Sequence, residues 1–408
     1  MRTYYCLLLL LVCHLHGLHA QEASVVKTNQ TASDSLLCTN PPALNGKVGY
    51  VVPSFLVAGG LATYAFDKNF YRIRESHLSR FHTGYDDYTQ YLPIAVMLGM
   101  KAAGVKGQSS WGEMLLSDAF SIAIVAGVVN IDKYLIDKER PDGSTNNSFP
   151  SGHTTTAFMA ATMLHKEYGD LSPWISIGAY SCAAITGVTR MMNNRHWMSD
   201  VLAGAGIGIA SAELGYYLAD VILGRKRSYN TSPARDYTAV RPSYIGLNVG
   251  VRRLWTDLTT ADGAALEIGN GSSVGVEGAY FFNKHWGIGG QATIASYLFE
   301  RDDTKQCVPL GLLSTALGAY YSTPFSPQFR METKLLIGKS WRPKSEEFDE
   351  LNVDFSNPMH YATGLALNFA ATSTLELKVF GEYRLTPHFV GDQTTHATTL
   401  GLSTNLCF

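Results

Sequence analysis

The spacing of apolar residues along the chain changes character near residue 230. From residue 48 to residue 224 the apolar segments are long and rich in Gly, Ala and Ser, as in VGYVVPSFLVAGGLATYAF and SDAFSIAIVAGVVNI. Such segments predict helices whose small residues permit close packing. We therefore expect an all-α bundle of five or six helices. Several segments are interrupted by charges, so the pattern fits a buried bundle and a membrane bundle equally. The interrupting residues are Asp118, Asp132, Glu213 and Asp220.

Beyond residue 242 the apolar residues recur at every second position. In TLELKVFGEYRL, apolar residues from Leu375 to Leu385 share one face, and the opposite face carries Glu376, Lys378, Glu382 and Arg384. This alternation predicts strands with one apolar and one charged face. About eight segments show it, near residues 242–252, 273–282, 285–299, 308–322, 328–340, 360–370, 374–386 and 396–408.

These predicted strands are about 10 to 15 residues long, which suits a tilted strand that crosses a membrane better than a strand of a globular sheet. A sheet in hydrocarbon must close, because every backbone polar group there needs a partner. We therefore expect an antiparallel, eight-stranded transmembrane β-barrel whose lumen is filled by paired charged side chains. The C-terminal LGLSTNLCF resembles the end of Gram-negative outer-membrane barrels. A soluble β-sandwich is the alternative.

The sequence divides into five parts. Residues 1–20 have one Arg, an apolar stretch from Cys6 to Val12 and a small residue at Ala20, which predicts a cleaved secretory signal peptide. An N-terminal segment follows at 21–46, and the helical domain is expected at 47–224. Residues 225–241 are basic, polar and broken by prolines, which is typical of a linker. The barrel is expected at 242–408.

Composition narrows the choice of partners. The chain of 408 residues has a net charge of −2, so nothing points to nucleic acid. Charged residues make up 16%, well below the roughly 25% of soluble domains, which favours membrane contact. The four cysteines beyond the signal peptide form no CxxC pair and predict neither a zinc site nor a particular disulfide. They are Cys38, Cys182, Cys307 and Cys407.

Three polar blocks in the helical half carry chemistry. They are KYLIDKERP, PSGH at residues 150–153, and TRMMNNRHWMSD. They supply the candidate site residues Lys133, Arg140, Ser151, Gly152, His153, Arg190, His196 and Asp200. Lysine and arginine donate charge-assisted hydrogen bonds, and the planar fork of arginine matches phosphate oxygens. Ser151 and Gly152 stand where a helix begins, and the amides of a helix N-terminus favour anions. The blocks therefore predict a phosphate site.

The third block also contains a candidate nucleophile. His196 and Asp200 are four residues apart and share one helix face. A carboxylate on one ring nitrogen selects the tautomer and raises the basicity of the other nitrogen. His196 can then attack phosphorus and form a phosphohistidine. His153, from a different block, can protonate the leaving oxygen and later activate water.

The three blocks resemble the signature of the type 2 phosphatidic acid phosphatases, which share a site with bacterial class A acid phosphatases and vanadium haloperoxidases. The match runs through KxxxxxxRP, PSGH and RxxxxxHxxxD, and only Thr189 stands where the family has serine. The resemblance covers about residues 60–220 and implies the same roles for the same residues. It also implies that no metal or other cofactor is needed, because Lys and Arg neutralise the phosphate.

The function expected is hydrolysis of a lipid phosphate monoester or diphosphate. Candidate substrates are phosphatidic acid, phosphatidylglycerol phosphate, a polyprenyl diphosphate and lipid A. Alternatives are a non-specific periplasmic acid phosphatase, a vanadate-dependent haloperoxidase and a structural barrel without activity. We expect the protein to lie in the outer membrane of a Gram-negative bacterium, with the helical domain facing the periplasm. An even number of strands puts the first and last residues of the barrel on the same side of the membrane, which we take to be the periplasmic side.

Overall fold

The computed structural model describes residues 48–78, 81–225, 236–256, 258–259, 265–268, 270–301, 307–342, 358–371, 375–390 and 392–408. Within these residues a set of helices is followed by an antiparallel sheet, so the predicted fold class is confirmed. The predicted signal peptide, the segment 21–46 with Cys38, and most of the predicted linker lie outside the described residues.

Eight helices occur in the described part of the first half: α1 Val48–Tyr64, α2 Asp67–Leu78, α3 Asp86–Thr89, α4 Leu92–Ala102, α5 Trp111–Leu135, α6 Gly152–Tyr168, α7 Pro173–Met192 and α8 Met198–Ile222. The six longer apolar helices α1 and α4–α8 match the prediction. Helices α2 and α3 were not predicted, because DKNFYRIRESHL and DDYT contain no long apolar run.

Helix α8 is the central helix of the bundle, and it packs on α1, α5 and α6. Glycines permit the close approach. A Cβ at Gly208 would overlap the carbonyl of Thr155 in α6, and a Cβ at Gly215 would overlap Ser121 in α5. Helices α5 and α8 are long and apolar enough to cross a membrane, by length and composition only.

The second half forms a closed barrel. Its strands are β1 Tyr244–Leu254, β2 Leu258–Thr259, β3 Ala265–Ile268, β4 Gly271–Phe281, β5 Trp286–Arg301, β6 Cys307–Pro324, β7 Phe329–Trp341, β8 Met359–Ala370, β9 Leu375–Val390 and β10 Gln393–Cys407. Neighbours pair antiparallel in the order β5-β4-β1-β10-β9-β8-β7-β6, and β6 pairs again with β5, which closes a ring of eight long strands. The short β2–β3 pair is attached to β5.

Charged side chains fill the barrel lumen in ion pairs. Arg330 contacts Glu376 at 2.9 Å and Glu332 at 2.6 Å, and Lys378 lies 2.8 Å from Glu332 and 3.0 Å from Glu277. All five side chains are buried. The outer face carries exposed apolar residues, among them Leu317, Leu335, Leu365 and Leu400. An apolar exterior around a paired, charged interior is the arrangement of a transmembrane barrel.

The helical half lies beside the barrel wall. A Cβ on Gly59 of α1 would be 2.9 Å from Leu402 Cδ1 on the outer face of β10. In α2, Asn69 Nδ2 donates to the carbonyl of Asn270 at 2.5 Å, and its own carbonyl accepts from Ser272 Oγ at 2.6 Å. These contacts place α1 and α2 against the side of the barrel.

Candidate active site

The three sequence blocks meet at one end of the helical bundle. Helices α5 and α7 end there, and they carry Lys133 and Arg190 in their last turns. Helices α6 and α8 begin there, and they carry His153 and Asp200 in their first turns. The α5–α6 connection, residues 136–151, contributes Arg140 and Ser151. The alternating directions of these helices therefore bring Lys133, Arg140, His153, Arg190 and Asp200 to the same end.

His196 precedes α8 and is only 3% exposed. Its Nδ1 lies 2.9 Å from the carbonyl oxygen of Ser148 and 3.6 Å from Asp200 Oδ2. A carbonyl can only accept a hydrogen bond, so Nδ1 carries the proton and Nε2 is the basic nitrogen. The sequence predicted the carboxylate near this ring, and the structure adds the carbonyl of Ser148.

Burial lowers the pKa of His196 to about 4; the nearby Asp200 carboxylate opposes the shift, and Arg190 and Arg140 add to it. The imidazole is therefore neutral, with a free lone pair, at any pH well above 4. A neutral ring is the form that can act as a nucleophile. The arginines that influence it are the residues expected to hold phosphate, which indicates that they lie close to the ring.

Asp200 is fully buried and accepts hydrogen bonds on both oxygens. Oδ2 accepts from the hydroxyl of Ser148 at 2.5 Å and from the backbone amide of Trp197 at 2.9 Å. Oδ1 accepts from Lys138 Nζ at 2.7 Å. The hydrogen bond from the Trp197 amide also caps the first turn of α8. Asp200 is thus held rigidly behind His196.

Lys138 is a buried cation that the sequence analysis did not single out. Besides Asp200, its ammonium donates to Asp67 at 2.6 Å and to the hydroxyl of Ser199 at 2.6 Å, and it lies 4.2 Å from the ring centre of Tyr64. Asp67 comes from α2, which was not predicted. A lysine in the polar stretch IDKERP looks like a solvated charge, so no sequence signal could identify it.

Two further acids, Asp86 and Asp87 of α3, pair with motif residues. Arg190 donates to Asp86 at 2.7 Å, and His153 Nε2 lies 2.9 Å from Asp87 Oδ1. Burial and the charge of Arg190 lower the pKa of His153, while Asp87 opposes the shift. Sequence reasoning missed these acids as well, and only the adjacent pair of aspartates could have drawn attention to them.

The phosphate-binding candidates retain unused donors. Among the described residues, the Nε atoms of Arg140 and Arg190 are buried and have no hydrogen-bond partner. Lys133 Nζ lies 3.7 Å from the position that a Cβ on Gly152 would occupy, so it faces the start of α6. Burial, then the charge of Arg190, lowers the pKa of Arg140. Clustered cations with free donors form a site suited to an anion.

Ser151 and Thr189 make hydrogen bonds that support the structure around the site. Ser151 is buried at the N-cap of α6, where its hydroxyl accepts from Thr154 Oγ1 at 2.9 Å and its amide donates to the carbonyl of Asp200. The Thr189 hydroxyl donates to the carbonyl of Ile185 in its own helix at 2.8 Å. The hydroxyl that threonine shares with serine is therefore used in a hydrogen bond within the helix.

The helical half matches a known protein family. Residues 115–222, which contain all three blocks, match the PAP2 superfamily, so the predicted resemblance is confirmed. The chain is 45% identical over 199 residues to the lipid A 1-phosphatase of Porphyromonas gingivalis, covering 48% of this chain and 45% of that protein. The chain thus spans less than half the length of that relative.

Two solved structures are similar in fold to parts of the chain. Aquifex aeolicus LpxE is 22% identical, with 37% of this chain and 95% of that chain covered and a TM-score of 0.30. Neisserial surface protein A is 10% identical, with 41% of this chain and 97% of that chain covered and a TM-score of 0.29.

Proposed function

We propose that the PAP2 superfamily domain of this chain is a metal-independent phosphatase that hydrolyses the phosphate ester or diphosphate of a membrane lipid. The observation that carries the proposal is the convergence of three cations with a buried, carboxylate-backed imidazole at one end of the bundle. The family match supports the reaction class.

In the proposed reaction the cations hold the phosphate. Lys133, Arg140 and Arg190 donate to its non-bridging oxygens and neutralise the charge that spreads over them in the transition state. The amides of Gly152 and His153 lie in the first turn of α6, where the helix terminus favours an anion.

His196 is the proposed nucleophile. Its Nε2 attacks phosphorus while the bond from phosphorus to the leaving oxygen breaks, and protonated His153 gives its proton to that oxygen. Neutral His153 then takes a proton from water, whose oxygen attacks the phosphohistidine and releases inorganic phosphate. Ser148 and Asp200 keep the His196 ring in the reactive tautomer and stabilise its positive charge.

Among lipid phosphates, lipid A is the favoured substrate class. The support is the relative from P. gingivalis, whose name states that activity. Phosphatidic acid, phosphatidylglycerol phosphate and polyprenyl diphosphates carry the same reacting group, so the site chemistry accepts them too. The closed barrel with its apolar exterior supports an outer-membrane location.

The test is phosphate release by the purified full chain in detergent, with EDTA present. Lipid A, phosphatidic acid, phosphatidylglycerol phosphate and the soluble ester p-nitrophenyl phosphate are compared. We expect release from at least one lipid, and His196→Ala should lose at least about a thousandfold in rate. His165→Ala is the matched control, because His165 lies in the last turn of α6, at the opposite end of the bundle.

The intermediate is tested separately. Brief incubation with ³²P-labelled lipid should leave acid-labile, base-stable label on the wild type and none on His196→Ala. Equal activity of wild type and His196→Ala on every lipid would refute the proposal. Turnover of p-nitrophenyl phosphate far above that of all the lipids would instead support a non-specific phosphatase.

A further inference from the structure

The contacts between the two halves fix which end of the barrel is level with the active site. In α1, Gly59 lies against Leu402, near the middle of the outer wall of the barrel. Farther along the chain, Asn69 of α2 hydrogen-bonds with Asn270 and Ser272. Ser272 pairs with Val251, near the end of β1. Helix α2 therefore covers the wall at the end where β1 finishes and β4 begins.

The active site lies at that same level. Asp67, in the first turn of α2, accepts from Lys138 and from the amide and hydroxyl of Ser199. Helix α8 runs antiparallel to α1, since Ala203 lies beside Gly60 and Gly206 lies beside Pro53. The start of α8, with Asp200, is thus directed toward the α2 end.

The two ends of the barrel have different connections. At the end away from the active site, strands are joined by four residues each, at 282–285, 325–328 and 371–374, and the barrel chain begins and finishes there, where Tyr244 pairs with Cys407. The end level with the active site has the two longest connections, 255–270 and 342–358, together with the shorter connections 302–306 and 391–392. In outer-membrane barrels short turns face the periplasm and longer loops face outward.

The helical half also presents a surface suited to lipid. From residue 119 to residue 131, α5 contains no charged residue, although Ile122 and Ile131 are 49% and 59% exposed. A helix face exposed to water normally carries charges along such a length. This face is apolar, like the exterior of the barrel.

From these placements we infer that the helical half is seated in the outer membrane against the barrel wall, with its catalytic end at the outer surface. The substrate is then a phosphorylated lipid of the outer leaflet, whose phosphate lies at the level of Lys133, Arg140 and Arg190. This orientation differs from the periplasm-facing phosphatase domain that the sequence predicted. The substrate part rests on the proposed function, but the orientation does not.

The test is labelling of single introduced cysteines by a membrane-impermeant maleimide on intact cells that produce the full chain. Asn146→Cys lies in the exposed loop at the catalytic end, and Lys106→Cys lies in the exposed loop at the opposite end of the same bundle. Lys284→Cys, in a short barrel turn, reports whether the outer membrane is intact. Label is measured above that of the unsubstituted chain.

We expect Asn146→Cys to react in intact cells, and Lys106→Cys and Lys284→Cys to react only after lysis. Reaction of Lys106→Cys alone, of both helical positions, or of neither in sealed cells would overturn the inference. Because labelling needs no activity, an active enzyme in detergent with the wrong labelling pattern leaves the proposed function standing. The expected labelling pattern in a protein without phosphatase activity would support the orientation and contradict the proposed function.

Discussion

Replacing Lys138 by Met tests the buried charge network behind the nucleophile. The substitution keeps most of the apolar stem and removes the ammonium. Three short hydrogen bonds are lost, at 2.6, 2.6 and 2.7 Å, and Asp67 and Asp200 remain buried without their cation. Removing one partner of a buried ion pair costs about 3–5 kcal/mol. Helix α2 should therefore be held less firmly to α8.

That cost predicts a lower melting temperature for the helical half. For a unit of this size each kcal/mol shifts the midpoint by about 2–4 °C, so we expect a fall of about 6–20 °C. The measurement is circular dichroism at 222 nm in detergent, where the helices dominate the signal. The control is Lys106→Met, an exposed lysine, which should change stability by less than about 0.5 kcal/mol.

The pH dependence gives a second reading of the same variant. Burial raises the pKa of Asp67, and the Lys138 cation opposes that rise. Without the cation the pKa of Asp67 rises further, and a protonated Asp67 carries no charge for a cation to balance. The deficit of Lys138→Met should therefore be largest at neutral pH and shrink as the pH falls. A melting temperature within about 2 °C of the wild type at neutral pH would refute the reasoning.

Two further predictions concern the general acid and the barrel. Asp87→Asn removes a charge that raises the pKa of His153, so the alkaline limb of the pH profile of kcat/KM should move to lower pH; an unchanged limb would contradict the role of His153 as the acid. Arg330→Met leaves Glu332 and Glu376 without their shared cation, at a cost of about 3–5 kcal/mol, and the folded barrel band in unheated gel samples should weaken; a band as strong as that of the wild type would count against the pairing.

The membrane-facing pattern of the barrel could be predicted in detail, because it depends on local geometry. Side chains of a strand alternate between two faces, so Glu376 and Lys378 had to share the face opposite Leu375 and Leu377. Which charges pair could not be predicted. Glu376 bonds Arg330, 46 residues away in sequence, and that partner depends on strand register around the closed ring.

The candidate active site also contains residues that the sequence predicted and residues that it did not. Motif spacing alone predicted Lys133, Arg140, Arg190, His153 and His196 as site residues, because phosphate chemistry requires those residue types together. The acids and the cation that support them come from α2, α3 and a polar loop, and their sequences look like ordinary solvated surface. Their burial follows from helix packing and has no local signature.

By itself the sequence determined a helical half followed by a half of long amphipathic strands, and it predicted which residues would hold phosphate. The backbone of a helix repeats its side-chain direction every 3.6 residues and that of a strand every two, so the spacing of apolar residues in the sequence shows which structure forms. Only the tertiary structure decided that Lys138 joins Asp67 to Asp200 and that the bundle lies beside the barrel. Those contacts join residues 62 to 203 positions apart in sequence, so they form and stabilise the protein only once the chain has folded.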